Sequence, residues 1–360
     1  MVSNHRKERR STMSMQANGT STSFAGVFVQ TNEQVANRVL AFRRDEDGAL
    51  QPAGQFPTGG AGLGARHLGS QGSVNLISKG RFLLVTNAGS DDVSIFVVHS
   101  DGLELLGTTS SNGMAPMSVT EHDGVVYVLN TGDPSLSGFT VDSNGLRALP
   151  GSRRDLAAAS DPAQVGFSPD GGTVVVTQRG TNSLVSFTVD DNGLLGDPRE
   201  TPSSGLTPYG FTFADDRTIV VTEAFGAQAG KAAASSYRLD VHGLAPVSRS
   251  VGNGRSAVCW AVSDDSGRFV YATNFADGAV SRYEVAADGS LTLADATAGT
   301  AVDSRPGLRD EGLSADGRFL YAIDADAHRI FGWRVGAEGQ LTAVGSRNGL
   351  PDSVAGLAAN

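Results

Sequence analysis

A single cysteine, Cys259, stands among 360 residues, so no intrachain disulfide framework is available. None of the six histidines pairs with another, or with Cys259, at the spacing of a zinc site. No run approaches the roughly 20 apolar residues that a membrane-spanning helix needs. Positive charge is in deficit, with 28 Lys and Arg against 38 Asp and Glu and a formal net charge of −10. Nucleic acid and anionic membrane are therefore not expected as partners. A GxSxG elbow is missing. The glycines of PTGGAGLGARHLGSQG (57–72) imitate a dinucleotide fingerprint, but they precede a strand instead of opening a helix. No cofactor is expected and no metal site is assigned; calcium on channel-facing Asp and Asn would have no diagnostic spacing here. Cys259, beside Trp260, reads as a small buried hydrophobe.

What the chain has in abundance is glycine, 46 residues of it, and repetition. Seven times an apolar run ends on a polar residue, passes a Gly/Asp/Asn turn and resumes as a second apolar run. The polar anchors are Asn32, Asn87, Asn130, Gln178, Glu223, Asn274 and Asp324, spaced 55, 43, 48, 45, 51 and 50 residues apart. Periods of this length mark propeller blades or solenoid turns. The runs are β-branched and aromatic with no helical period, as in GGTVVVTQRGTNSLVSFTVDDNGL (171–194). The pattern predicts an all-β fold, a seven-bladed β-propeller whose four-stranded antiparallel blades surround a central channel. In the fourth repeat the strands are expected at 163–168, 173–177 and 184–189, with an outer strand starting near Leu194. Residues 24–360 are assigned to the propeller, and ring closure is expected to join the two ends of the chain. Residues 1–23 are read as a disordered polar leader, with Met13 and Met15 as alternative starts. A cytoplasmic monomer is expected.

The anchors should form a polar ring at one end of the channel, where Asn and Asp ordinarily close turns onto nearby backbone. Glu223 departs from that pattern, because its turn expands into AFGAQAGKAAASS before Tyr237. A carboxylate under a long loop is the candidate general acid or base. Gln164, Trp260 and Asp310 each lie 14 residues before their anchors and should point alike into the channel. With Tyr209, Phe211 and Phe275 they describe an aromatic-walled pocket, in which Gln164 and Tyr209 position the substrate. Gln71, at another first-strand start, joins this set. The 57–72 segment is expected as a flexible loop over the mouth, carrying Arg66 and His67.

The phrases FSPDGGTVVVTQRGTNSLVSFTVDDNG and SADGRFLYAIDADAHRIFGWRVGAEGQLT resemble the lactonase-type seven-bladed propellers. That family includes the bacterial propeller form of 6-phosphogluconolactonase and a fungal muconate-lactonizing enzyme. The resemblance covers about residues 24–345. It implies a histidine after Pro162, an arginine after Pro208, a glutamate at 223 and an arginine after Asn274. Here those positions hold Ala163, Tyr209, Glu223 and Phe275. Neither Tyr nor Phe replaces the paired hydrogen bonds of a guanidinium to phosphate or carboxylate.

The resulting expectation is a lactonase-like hydrolase or isomerase acting on a neutral, partly apolar small molecule, with Glu223 as acid/base. The alternative is a non-catalytic propeller scaffold that binds a ligand or protein partner. A third reading, 6-phosphogluconolactonase itself, requires other arginines, such as Arg66, Arg179 or Arg309, to bind the anion.

Overall fold

The computed structural model describes residues 24–301 and 306–360, and the leader expected at 1–23 lies outside them. The strands group into seven antiparallel sheets arranged as blades. Blade four shows the pattern: Pro162–Phe167 lines the channel, Thr173–Gln178 and Ser183–Thr188 follow, and Arg199–Pro202 is outermost. The first three strands fall within a residue of their expected positions. The outer strand begins five residues late, because Val189 and Leu195 form only an isolated bridge before it. In blade three the outer strand is broken into Gly145–Ala148 and Arg154–Asp155.

The second strands are apolar because both of their faces are covered. Phe82–Asn87, Thr218–Glu223, Phe269–Asn274 and Phe319–Asp324 are buried at every residue. Seven apolar clusters lie between successive blades, one per junction, including the junction of blade seven with blade one. Tyrosines on second strands add a polar strut at three junctions. The hydroxyls of Tyr127, Tyr271 and Tyr321 donate to the carbonyls of Gly193, Gly339 and Gly48 on the next blade, at 2.7, 2.8 and 2.8 Å. Burying a tyrosine this deeply requires such a partner for its hydroxyl.

The ring closes through both chain ends. Ala355–Ala359 forms the innermost strand of blade one and pairs antiparallel with Gly26–Gln30, with Leu357 opposite Val29 and Ala359 opposite Val27. Asn360 and Gly26 exchange backbone bonds at 2.8 and 3.2 Å. No helix among the described residues is long and apolar enough to cross a membrane.

The innermost strands of blades three to seven each carry a one-residue bulge near their start, such as Pro208/Phe211, Val258/Ala261 and Leu308/Glu311. A bulge re-aims side chains locally. Three of these bulges supply the walls of the site described below.

Deleting residues 355–360 should leave blade one without its inner strand and uncover Val27, Val29 and Val354. We expect a loss of several kcal/mol, at least that of a large core truncation, read as a lowered and broadened thermal transition.

Candidate functional site

The 57–72 segment turns down into the channel mouth and is fastened there. Asn32 holds it from blade one, accepting from Leu63 N at 2.9 Å and donating to Ala65 O at 3.0 Å. Ser70 donates to the Met117 carbonyl of blade three. Gln71 N donates to Ala163 O of blade four at 3.2 Å. The Gln71 amide crosses the channel and meets Ala261 of blade six with both ends, at 2.9 and 3.1 Å. Arg309 of blade seven donates to the Arg66 carbonyl. The expected loose cover is thus a plug, and these bonds set where His67 stands.

Beside the plug lies a cleft of about 380 Å³ lined by His67, Arg179, Tyr209, Cys259, Phe275 and Arg309, with Ala224, Gly226 and Ala227 along one rim. His67 Nε2 and the Tyr209 hydroxyl share a hydrogen bond of 2.8 Å. Trp260, fully buried, packs behind Tyr209 with ring centroids 4.8 Å apart, in one cluster with Cys259. The Arg179 guanidinium stands 4.8 Å from the centre of the Tyr209 ring, and that of Arg309 stands 4.9 Å from the centre of the Phe275 ring. Arg179 is paired with Asp161 at 2.7 Å. Arg309 has Asp326 at 3.9 Å, and its Nε has no partner among the described residues.

The electrostatics follow from this packing. Burial raises the Tyr209 pKa, so the phenol keeps its proton. Burial, then Arg309 and Arg179, push His67 down to about 4. His67 is an exposed residue of the plug, so solvent screens part of the effect. Both causes disfavour the imidazolium, and His67 is neutral at physiological pH. The Cys259 thiol, pushed up to about 12 by burial, is no nucleophile at neutral pH.

The cleft brings together His67, Tyr209 and Phe275 over Trp260. The other expected site residues lie elsewhere. Glu223 does not line the cleft, although its expanded loop does. Its side chain is fully buried inside blade five, where it accepts from Gly205 N at 2.8 Å, Ser235 Oγ at 2.5 Å and Ser250 Oγ at 2.7 Å. Asn87, Asn130 and Asn274 likewise meet Ser94, Ser137 and Ser281 of their third strands. Glu223 is therefore the anchor of its blade, and burial raises its pKa without making it accessible. Phe211 belongs to the core between blades four and five. Gln164 clasps the Phe211 backbone of the next blade at 2.6 and 3.0 Å. Gln71, Gln164 and Asp310 line the channel below the plug.

Sequence reasoning left Arg179 and Arg309 outside the favoured pocket. Arg179 follows the blade-four anchor as Phe275 follows that of blade six. Arg309 occupies the bulge position that Tyr209 occupies in blade five, since Leu308 and Pro208 both pair with their anchors. The two arginine positions implied by the resemblance are thus filled two blades away around the ring. That equivalence was hidden because Pro208 precedes its anchor by 15 residues and Leu308 by 16. A wholly neutral pocket is not what the structure presents. Among the described residues, no three His, Cys, Asp or Glu side chains converge as a metal site.

The model of the lactonase family of seven-bladed β-propellers matches residues 27–147, 145–224 and 220–353, and the chain belongs to that family. Among solved structures it is similar to the periplasmic gluconolactonase of Pseudomonas aeruginosa, at 17% identity and a TM-score of 0.70, covering 92% of this chain and 98% of that one. A protein of Bacteroides fragilis, provisionally described as a 6-phosphogluconolactonase, aligns at 18% identity and a TM-score of 0.69 over 94% and 98% of the chains. A functionally unknown protein of Desulfotomaculum acetoxidans aligns at 15% and 0.71 over 94% and 99%. At these identities the likeness is one of fold. No curated protein matches the sequence.

Replacing Glu223 should cost stability and not chemistry. We expect Glu223→Ala to lose about 2–4 kcal/mol by stranding three donors and opening a void. Glu223→Gln should lose about 1 kcal/mol. Urea unfolding reads both, and any activity of the folded Gln variant should equal that of the wild type.

Proposed function

We propose that the chain is a lactonase-like hydrolase acting on a small lactone that carries one anionic group. The observation that carries this reading is the neutral His67–Tyr209 pair, 2.8 Å apart, in a cleft that Arg179, Arg309 and Phe275 also line. Membership of the lactonase family supports the reaction class. The arginines support the charge of the ligand, since a cleft edged by two guanidiniums favours a carboxylate or phosphate over a neutral ring. The rings of Tyr209 and Phe275 suit the apolar face of a lactone ring.

The chemistry assigned to these groups is ordinary general base catalysis. With Nε2–H donated to the Tyr209 oxygen, neutral His67 takes a proton from water at Nδ1, and the resulting hydroxide attacks the lactone carbonyl. A guanidinium stabilises the tetrahedral oxyanion, and the ring C–O bond then breaks. The leaving alkoxide recovers the proton from the imidazolium, so no net charge is left on the protein. Tyr209 orients the imidazole through their shared hydrogen bond.

The test is lactone turnover by pH-stat on a panel of anionic and neutral lactones. We expect anionic members to be preferred, and His67→Ala to lower kcat/KM by about 10²–10⁴-fold. Arg309→Met should act mainly on KM. No turnover across the panel would overturn the hydrolase reading and leave a binding scaffold.

The pH profile gives an independent check. His67 must be neutral to act, and its pKa is lowered, so activity should persist as pH falls through 6.5 and be lost only nearer 4. A bound anion offsets the two guanidiniums. The acid limb of kcat should therefore lie at higher pH than that of kcat/KM. An acid limb of kcat/KM at or above 6.5 would show that the cleft does not lower the His67 pKa, and an acid limb unchanged in the residual activity of His67→Ala would exclude His67 as the base.

A further inference from the structure

The glycines of the plug serve different neighbours. A Cβ on Gly62 would fall 2.3 Å from the Asn32 backbone, so that glycine fits the segment to blade one. At Gly69 the three atoms nearest to an added Cβ all belong to the Arg179 guanidinium, at 2.7, 3.1 and 3.3 Å. Gly69 is not one of the chain's left-handed glycines, so its backbone does not itself require glycine. What the missing side chain provides is room for one arginine of the cleft.

That arginine has little freedom to give way. Its Nη2 donates to Asp161 Oδ1 at 2.7 Å and its Nε to the Asp161 carbonyl at 3.3 Å. Its guanidinium stands 4.8 Å from the centre of the Tyr209 ring. The plug cannot retreat either, because Ser70 and Gln71 fasten the next two residues to blades three, four and six. A methyl group at position 69 must therefore displace Arg179 from Asp161, from Tyr209 or from both. Arginine recognises carboxylate and phosphate through a planar fork whose placement decides which bonds it can make.

We propose that Gly69 is a specificity-determining position of the cleft, kept without a side chain so that Arg179 can lie against the plug and face an anionic ligand. The inference rests on the anionic-lactone reading of the same cleft. Gly69 acts through Arg179 and touches no reacting atom, so its role is positioning. A side chain there weakens the attraction for carboxylate or phosphate and lowers the preference for anionic over neutral lactones.

The experiment is a double-mutant cycle on the binding of inorganic phosphate, by titration calorimetry at constant ionic strength. Gly69→Ala should weaken phosphate about 3–10-fold, a partial loss because Arg179 already pairs with Asp161 and Arg309 remains. In an Arg179→Met background the same change should weaken it no further, since both substitutions remove one contact. Gly69→Ala should unfold at or above the wild-type Tm, because its backbone accepts alanine. In lactone turnover it should act on KM more than on kcat, and on anionic members more than on neutral ones. Unweakened phosphate binding, equal weakening in both backgrounds, a lowered Tm, or wild-type protein that binds no phosphate would each overturn the proposal. Absence of lactone turnover with the phosphate cycle as expected would overturn the hydrolase reading alone and leave the role of Gly69 standing.

Discussion

Every blade has two apolar faces, and nothing but another blade can cover them. This constraint requires the circle to close, and closure requires the strand at 355–359 to complete the blade begun at Gly26. The seven inter-blade clusters are equivalent only because the seventh junction exists. Closure also creates the channel, a space that no blade can fill with its own side chains. The chain fills its mouth with the 57–72 segment, whose hydrogen bonds reach from blade one to blade seven. The candidate site is a by-product of that packing. His67 meets Tyr209 because the backbone on either side of it is already held, by Arg309 at residue 66 and by the Gln71 clasp across the channel.

Much of the architecture was legible from periodicity, because burial on both faces writes an uninterrupted apolar run that ends on a polar anchor. The strands of blade four follow from that signal almost residue for residue. The candidate site was less legible, for two physical reasons. Glu223 differs from its neighbours in charge and loop length, yet it occupies an anchor position and, like Asn87, Asn130 and Asn274, turns into its blade toward a third-strand serine. The distinctive residue was therefore structural. Arg179 and Arg309, in contrast, sit at positions whose role is set by bulge and hairpin length. A hairpin one residue shorter in blade five shifts the count enough to conceal that Tyr209 and Arg309 are equivalent. His67 was visible only as a histidine in a glycine-rich segment, since nothing local records that the segment is bonded to distant blades.

The arrangement of charge across the inner strands follows from the same bulges. At one bulge position Tyr209, Cys259 and Arg309 face the cleft. At the next residue, Asp310 lines the channel cavity and Trp260 is buried behind Tyr209. A single peptide step in blade seven thus separates a guanidinium from a carboxylate and sends them to different cavities. The cleft gains positive potential while the channel below it gains negative potential.

That separation has a consequence for the chemistry assigned to the cleft. Arg309 can serve an incoming anion only because its own strand's carboxylates are directed elsewhere, and its nearest acidic partner, Asp326, stands at 3.9 Å. Arg179 is more fully committed, to Asp161 at 2.7 Å, and is the weaker ligand of the two. Charge-assisted hydrogen bonds form most strongly to groups that are desolvated and not already paired. On the proposed reading Arg309, 6% exposed and only distantly paired with Asp326, would carry more of the attraction for an anion than Arg179. The same guanidinium heads the two causes, after burial, that keep His67 neutral. In the proposed mechanism one side chain would thus couple recognition of the ligand's charge to the protonation state of the base beside it.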